Sequence, residues 1–498
     1  MTPIDDYVAF HTEAELQATR FSLVQSLIRH WAWWLMSAIA LLLLTVLLAW
    51  VIPFLRHVAA INTIRRNDGV VDFDRHAPVW LRDLVSFECE RAFARDFDVH
   101  FYNEWKPDHL QPLRAICRLR CVRLHHYHNW DNPGPSDDFD LSCLPELSTL
   151  EELHLWDMSV GDRTLEQVTR QRNLKALRIY NNWGTITDAG YAHLKKLPRL
   201  EVFEINDCTD QARITDVGLS HIVPLSKLRS LQLNFSNVSE TALASLASLS
   251  RLESLVLSHA PITPNVASAL SRLTSLKKLH LYESTLTDVG LERLAALPNI
   301  EDVSLSNSKI TGAGLSRCSS WPLKKLDLSS LDVYDDDLAC LTAWPALEKL
   351  DLSWTQITSR GLEHLKSLVI LEELRLRGTH LDDAGMTNLV GLTRLSELFI
   401  SDTCVGDSGV AHLSRLIRMQ RLHLDSTEVT DAALIHLRDM AELRELGLWG
   451  THVTSAGLPR LIGFRNLWQM WLEQNPNLDV GVADLQRHRP SIHIHRYD

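Results

Sequence analysis

One hydrophobic pattern returns along this chain at a fixed interval. It reads Leu-x-x-Leu-x-Leu, with Ile, Val, Met or Phe accepted at the apolar positions. Its first position falls at Leu119, Leu150, Leu174, Leu200, Leu228, Leu252, Leu276, Ile300, Leu323, Leu347, Leu371, Leu395, Met419, Leu443 and Leu467. From Leu228 onward every interval is 24 residues except one of 23. Such regularity marks stacked copies of one supersecondary unit.

Residues 371–394 show what a single copy does. Leu374 and Leu376 alternate with Glu373, Arg375 and Arg377, which predicts a short strand with one apolar face. Thr379 and Leu381 follow as the chain turns, and Asp382 or Asp383 stands where a helical turn would be capped. Met386, Leu389 and Leu392 then recur every third residue, forming one face of an α- or 3₁₀-helix. One copy cannot bury that face alone. Stacking side by side builds a continuous parallel sheet over one long core.

These residues resemble the leucine-rich-repeat family, in a 24-residue form ending Thr-x-Ile-Thr-Asp-x-Gly-Leu. Leu286-Thr287-Asp288 with Gly290-Leu291, Ile357-Thr358 and Val429-Thr430-Asp431 are instances. The resemblance covers residues 119–498. It implies an α/β horseshoe solenoid with its parallel sheet on the concave face, and a role in protein recognition. One departure is visible. The Asn of many family members is replaced here by Ser284, Ser308, Thr355, Thr379, Thr403, Thr427 and Thr451, whose hydroxyls can still bond turn backbone.

Residues 31–55 break the amphipathic pattern. They run WAWWLMSAIALLLLTVLLAWVIPFL without a charge. As one helix they would span roughly 37 Å, against a hydrocarbon core of about 30 Å. Trp31, Trp33 and Trp34 at one end and Trp50 at the other are placed as an aromatic belt. The expectation is a retained single-span transmembrane anchor. Two arginines before it, Arg20 and Arg29, against Arg56, Arg65 and Arg66 after it do not decide orientation. An uncleaved N-terminal span acts most simply as an export signal, which places the repeats outside the cytoplasm.

The expected organisation is therefore a tail over 1–30, a transmembrane helix over 31–55, a juxtamembrane segment and N-terminal cap over 56–118, and the solenoid with its C-terminal cap over 119–498. Within the cap, Val70–Phe73 reads as a strand. Ile492 and Ile494 alternate in a run, 491–495, that reads as a closing edge strand. The arrangement is similar to membrane-anchored leucine-rich-repeat proteins of planctomycetes.

Composition changes this picture little. The chain is 45% hydrophobic and 22% charged, as a globular protein is, and its net charge of -12 argues against a general nucleic-acid binder. Eight cysteines are mostly isolated, and no disulfide framework emerges. No Gly-rich phosphate loop, His-Glu-x-x-His or Gly-x-Ser-x-Gly is present, so no catalytic residue, cofactor or metal ligand is assigned and the chain reads as non-enzymatic. Cys117, Cys121, His125, His126 and His128 match zinc spacing loosely, but ordinary strand and loop residues are the preferred reading. The same holds for His488, His493 and His495. Asp137, Asp138 and Asp140, and Asp335–Asp337, lack the spacing of a calcium loop and read as caps or solvated acids.

Two surfaces carry the functional expectation. On the polar side of the strands stand Tyr282, Arg375, Arg377, Phe399, Trp449 and Trp471, and paired exposed aromatics are common binding anchors. The early intervals of 31, 26 and 28 residues add rim insertions that include Trp130, Asp131 and Asn132, then Asn182 and Trp183, then Asp210 and Arg213. The leading expectation is a membrane-anchored protein-recognition scaffold of open oligomeric state. The alternative is a structural cell-envelope component binding a surface glycan or wall polymer.

Overall fold

The computed structural model describes residues 31, 33–45, 52–67, 69–73, 97–101, 107–116, 119–125, 138–207, 214–234, 238–472, 475 and 478–495. The chain divides into two compact units, 1–120 with 143–149 and 121–142 with 150–498.

In the first unit, helix α1 (Ile52–Arg66) buries Ala60, Ile61 and Ile64. Strands β1 (Gly69–Phe73) and β2 (Phe97–Phe101) pair antiparallel, with Gly69 opposite Phe101. A Cβ at Gly69 would stand 2.5 Å from Ile64 Cγ2, so the close turn out of α1 requires glycine. A 3₁₀ stretch, Pro107–Ala115, packs against α1 and buries Leu110 and Leu113. Thr149 Oγ1 donates to the Leu119 carbonyl at 2.9 Å.

The transmembrane helix expected over 31–55 is corrected by the structure. Among the described residues no helix is long and apolar enough to cross a membrane. Of that run, residues 32 and 46–51 lie outside the described residues. Helix α1 starts within the run, at Ile52, and carries Arg56, Arg65 and Arg66.

The second unit is a ladder of parallel strands in chain order. They are β3 (Leu119–His125, paired from Cys121 on), β4 (Glu152–Trp156), β5 (Ala176–Asn182), β6 (Val202–Asp207), β7 (Ser230–Asn234), β8 (Ser254–Ser258), β9 (Lys278–Tyr282), β10 (Asp302–Ser304) and β11 (Lys325–Asp327). There follow β12 (Lys349–Asp351), β13 (Glu373–Arg375), β14 (Glu397–Phe399), β15 (Arg421–His423), β16 (Glu445–Gly447), β17 (Gln469–Trp471) and β18 (His493–His495). The constant interval stacks like on like. Leu326, Leu350, Leu374, Leu398, Leu422, Leu446, Met470 and Ile494 form one cross-strand row, buried through Met470. The run at 491–495 joins the sheet as β18.

Opposite the sheet, short helical turns such as Asp288–Leu294 and Asp407–His412 bury Leu291, Leu294 and Val410. The threonines in the slot after the strand bond backwards to its backbone, whereas Ser284 accepts from Leu286 N. Thr355 donates to the Leu352 carbonyl at 2.6 Å, Thr403 to Ile400 at 2.7 Å and Thr451 to Leu448 at 2.8 Å. Asp382 caps its own helical turn, accepting from Ala384 N and Gly385 N. The aspartates of the Thr-Asp-x-Gly motif do something else: they clasp the next copy. Asp288 accepts from Thr311 N and Oγ1 at 2.9 and 2.7 Å, and Asp431 from Thr454 N and Oγ1 at 2.8 and 2.7 Å. The motif's glycine makes room for this. A Cβ at Gly314 would collide with Asp288 Oδ1, and one at Gly457 with Asp431 Oδ1.

The acid run at 335–337 is absorbed in the same way. Asp335 clasps Thr358 N at 2.7 Å, Asp336 pairs with Arg360 at 2.6 Å, and Asp337 accepts from Tyr334 N at 2.9 Å. Cys318 is buried in a slot filled by Leu elsewhere, and that burial pushes its thiol up to about 12.

Candidate functional site

In a parallel sheet, neighbouring strands stand about 4.8 Å apart, close to the spacing at which rings stack. Residues in register on the polar side therefore form rows. One row runs Arg375, Phe399, His423, Gly447, Trp471, His495 across β13 to β18. The Arg375 guanidinium lies 4.7 Å over the Phe399 ring. Phe399 stacks on His423, with centroids 4.9 Å apart and planes at 20°. Trp471 leans on His423 at 4.9 Å and stacks on His495 at 5.2 Å, 7° from parallel.

Gly447 is the gap that lets Trp471 reach a ring two strands away. A Cβ there would collide with Asp425 Oδ2 and stand 2.7 Å from His423 Nδ1. Asp425 organises this corner. It pairs with His423 Nδ1 at 3.1 Å, accepts from Ser401 Oγ at 3.1 Å, and takes the Trp449 amide at 2.9 Å. Trp449 is thus positioned beside the row and half-buried. Among the described residues, the ring partners of Trp471 are His423 and His495 rather than Trp449.

At the other end of the row, Arg375 Nε donates to Glu373 Oε1 at 2.7 Å, and Lys349 Nζ meets Glu373 Oε2 at 2.5 Å. Burial works to raise the Glu373 carboxyl, but Lys349 and Arg375 hold it below its usual range. Beyond Arg375 opens a cavity of about 220 Å³ lined by His280, Asp302, Lys325, Asp327, Asp351 and Arg375, among others. His280, which lines it, is held from both sides: its Nδ1 is 2.7 Å from the Tyr282 hydroxyl and its Nε2 is 2.7 Å from Asp302. Burial, then the charge of Asp327, pushes the Tyr282 hydroxyl up. Burial would raise the Asp302 carboxyl as well, but the His280 bond, with Lys278 and Lys325 near, brings it below the usual range.

Asp327 and Asp351 stand opposite each other on β11 and β12. Burial first, then the charge of Asp327, raises the Asp351 carboxyl above its ordinary value. Asp351 accepts from the Ser353 amide at 2.9 Å.

A second aromatic was not visible in the sequence. Trp354 is 52% exposed, and the Arg377 guanidinium lies 5.5 Å over its ring while Arg377 Nε holds Asp402 at 2.7 Å. Trp354 occupies a slot with positive φ, +59°, which Asn307, Ser330, Gly378, Asp402, Ser426 and Gly450 fill in other copies. A bulky residue is rare in that conformation. Gly378 gives its ring a floor, since a Cβ there would collide with it. The available signal was one Trp in a slot kept small or polar elsewhere.

The structure thus joins Arg375, Phe399 and Trp471 in one row, sets Trp449 and Arg377 beside it, and puts Tyr282 against His280, which lines the cavity. Trp183 lies elsewhere, half-buried after β5, with its amide on the Met158 carbonyl at 3.0 Å. Trp130, Asp131, Asn132, Asp210 and Arg213 lie outside the described residues.

A family model described as a leucine-rich repeat matches residues 345–366. No curated protein matches the chain. Among solved structures, an internalin from Listeria monocytogenes is 21% identical, over 66% of this chain and 82% of that one, with a TM-score of 0.38. A leucine-rich-repeat protein of Leptospira interrogans is 16% identical, over 80% and 88%, with a TM-score of 0.38. The plant peptide hormone receptor RGFR1, in complex with RGF2, is 14% identical, over 80% and 74%, with a TM-score of 0.37. Likenesses this distant identify no ligand. The family model thus matches one copy of a ladder in which copies clasp one another, as Asp288 does Thr311 and Asp431 does Thr454.

Proposed function

We propose that the repeat unit is a non-catalytic protein-recognition scaffold whose partner lies across the polar side of the sheet between β9 and β18. The observation that carries this reading is the row from Arg375 to His495. Aromatic and arginine side chains dominate binding energy at interfaces. Here they are locked by stacking before any partner arrives, which lowers the entropy lost on binding. The cavity beside Arg375 offers charges of both signs, suited to the polar groups of a peptide.

The glycan reading has less support at this site. Sugars stack on a free aromatic face, and Trp471 gives one side to His495 and leans the other on His423.

Panning a displayed random-peptide library on the full chain tests the proposal. Peptides recovered on the wild type are expected to lose about 30-fold in affinity on Phe399→Ala/Trp471→Ala, the equivalent of about 2 kcal/mol at a hot spot. Far-UV circular dichroism should be unchanged. Peptides that bind the double variant as tightly as the wild type would remove the row from recognition. Retention on purified wall polymer without any peptide hit would favour the glycan alternative.

A further inference from the structure

The first strands of the ladder bring together three side chains that are distant in sequence. Cys121 on β3 stands in register with Glu152 on β4, and His154 follows two residues along β4. Two residues along a strand return to the same face, so thiol, carboxylate and imidazole share one side of the sheet. Their ligand atoms all lie within 4.8 Å of one another, and His154 Nε2 is 3.5 Å from Glu152 Oε2. In a tetrahedron, zinc bonds of about 2.0–2.1 Å to nitrogen or oxygen and about 2.3 Å to sulfur set ligand atoms about 3.3–3.6 Å apart. Cys121 is fully buried and His154 is 8% exposed.

We propose that Cys121 Sγ, Glu152 and His154 bind one Zn²⁺, with the fourth position left to water or an external donor. A thiolate and an imidazole favour zinc over the hard cations Mg²⁺ and Ca²⁺. Of the Cys-x-x-x-Cys and histidine run noticed in sequence, only Cys121 belongs to this set. His125 pairs with Asp157 at 2.7 Å, and Cys117, His126 and His128 lie outside the described residues.

Arg178 on β5 governs access to the site. Its Nη1 is 3.2 Å from His154 Nε2 and 3.6 Å from Glu152 Oε2, where a metal would bond. Its Nε already holds Glu204 at 3.0 Å. Glu204 also accepts from the Tyr180 hydroxyl at 3.1 Å and from Ser230 Oγ at 2.6 Å, so it is a fixed anchor to which the guanidinium can retreat. Zinc entry exchanges one cation for another at the His154–Glu152 pair and releases the Cys121 thiol proton, so affinity falls as pH falls.

The test uses the full chain, stripped with a chelator and desalted. It is titrated with Zn²⁺ against a chromophoric chelator, and separately with Co²⁺ in a spectrophotometer. One equivalent of Zn²⁺ is expected, and the Co²⁺ form should show a thiolate-to-metal charge-transfer band. Cys121→Ser should abolish the band, and His154→Ala should weaken zinc binding at least tenfold. Arg178→Ala keeps every ligand and removes the competing cation, so it should bind at least tenfold tighter than wild type. Absence of stoichiometric zinc in both the wild type and Arg178→Ala would overturn the site, whatever the ligand variants do to folding. A band that survives Cys121→Ser would also overturn it, by placing the metal elsewhere.

Discussion

Single residues in this protein work mainly for the copy that follows them. Asp407 takes Thr430 N at 2.8 Å and Ala433 N at 3.1 Å on one oxygen, and Thr430 Oγ1 at 2.6 Å on the other. Hydrogen bonds to a charged group are worth roughly 1.5–3 kcal/mol, and a buried amide left unbonded adds its own cost. Asp407→Ala should therefore lower stability to urea by about 2 kcal/mol. Asp336→Ala removes a partner of Arg360 whose side chain is 83% exposed, and an ion pair so open to water contributes under about 0.5 kcal/mol. Equal losses in the two variants would show that the clasp is ornamental. The sequence displayed the clasp's letters but not its direction. Within one copy, Thr-Asp-x-Gly reads as a helix cap, which Asp382 is; nothing in one copy says that Asp407 reaches 23 residues ahead. Trp471 was equally half-legible. Its place on the polar side follows from strand alternation. Its contact with His423 depends on the missing side chain at Gly447, a relation between three strands.

Elements in the ladder are coupled through cross-strand rows, and the least comfortable row position is Asp327 beside Asp351. Like charges directly opposite are destabilising. Asp351 is raised above its ordinary value, so its contribution to stability is fully present below the unfolded pKa and lost as pH rises through the folded one. Asp351→Asn keeps an oxygen for the Ser353 amide and removes the charge. It should stabilise the protein at about pH 7, with the gain shrinking toward zero near about pH 3, as measured by thermal melts across that range. A gain that grows on acidification would contradict the sign. Glu373 and Asp302 are lowered, so their stability is present above the unfolded value and fades as pH falls through the folded one. Acid thus relieves Asp351 while it weakens its neighbours. Strands and their order were legible from period and alternation alone, because leucine spacing sets register directly. The apolar run over 31–55 was equally legible, yet among the described residues no helix is long and apolar enough to cross a membrane.

Across the second unit, each copy meets only its neighbours, so stability and function should be divisible by repeats. Residues 229–252 hold β7 and the helix Glu240–Ser245, far along the ladder from the Arg375–His495 row. Deleting that whole stretch joins Leu228 to Glu253, the same slot one copy later, and lets β6 pair with β8 in the existing register. In the buried row, Phe203 then faces Leu255 in place of Leu231. Deleting only 229–240 joins a strand start to the middle of a helical turn, so apolar positions downstream face the wrong way for one copy. The full-copy deletion should keep a parallel-sheet circular dichroism spectrum, unfold cooperatively with a slightly smaller urea m-value as less surface is exposed, and bind any peptide selected on the wild type with unchanged affinity. The half-copy deletion should lose several kcal/mol, because it strands buried leucines without partners. The comparison isolates period from composition, since both variants lose leucines of the same kind. If the two deletions are equally damaging, the copies are not interchangeable and the unit folds as one indivisible domain. If only the full-copy variant folds but its peptide affinity falls, then β7 is coupled to a site many strands away, and recognition belongs to the whole ladder rather than to its last copies.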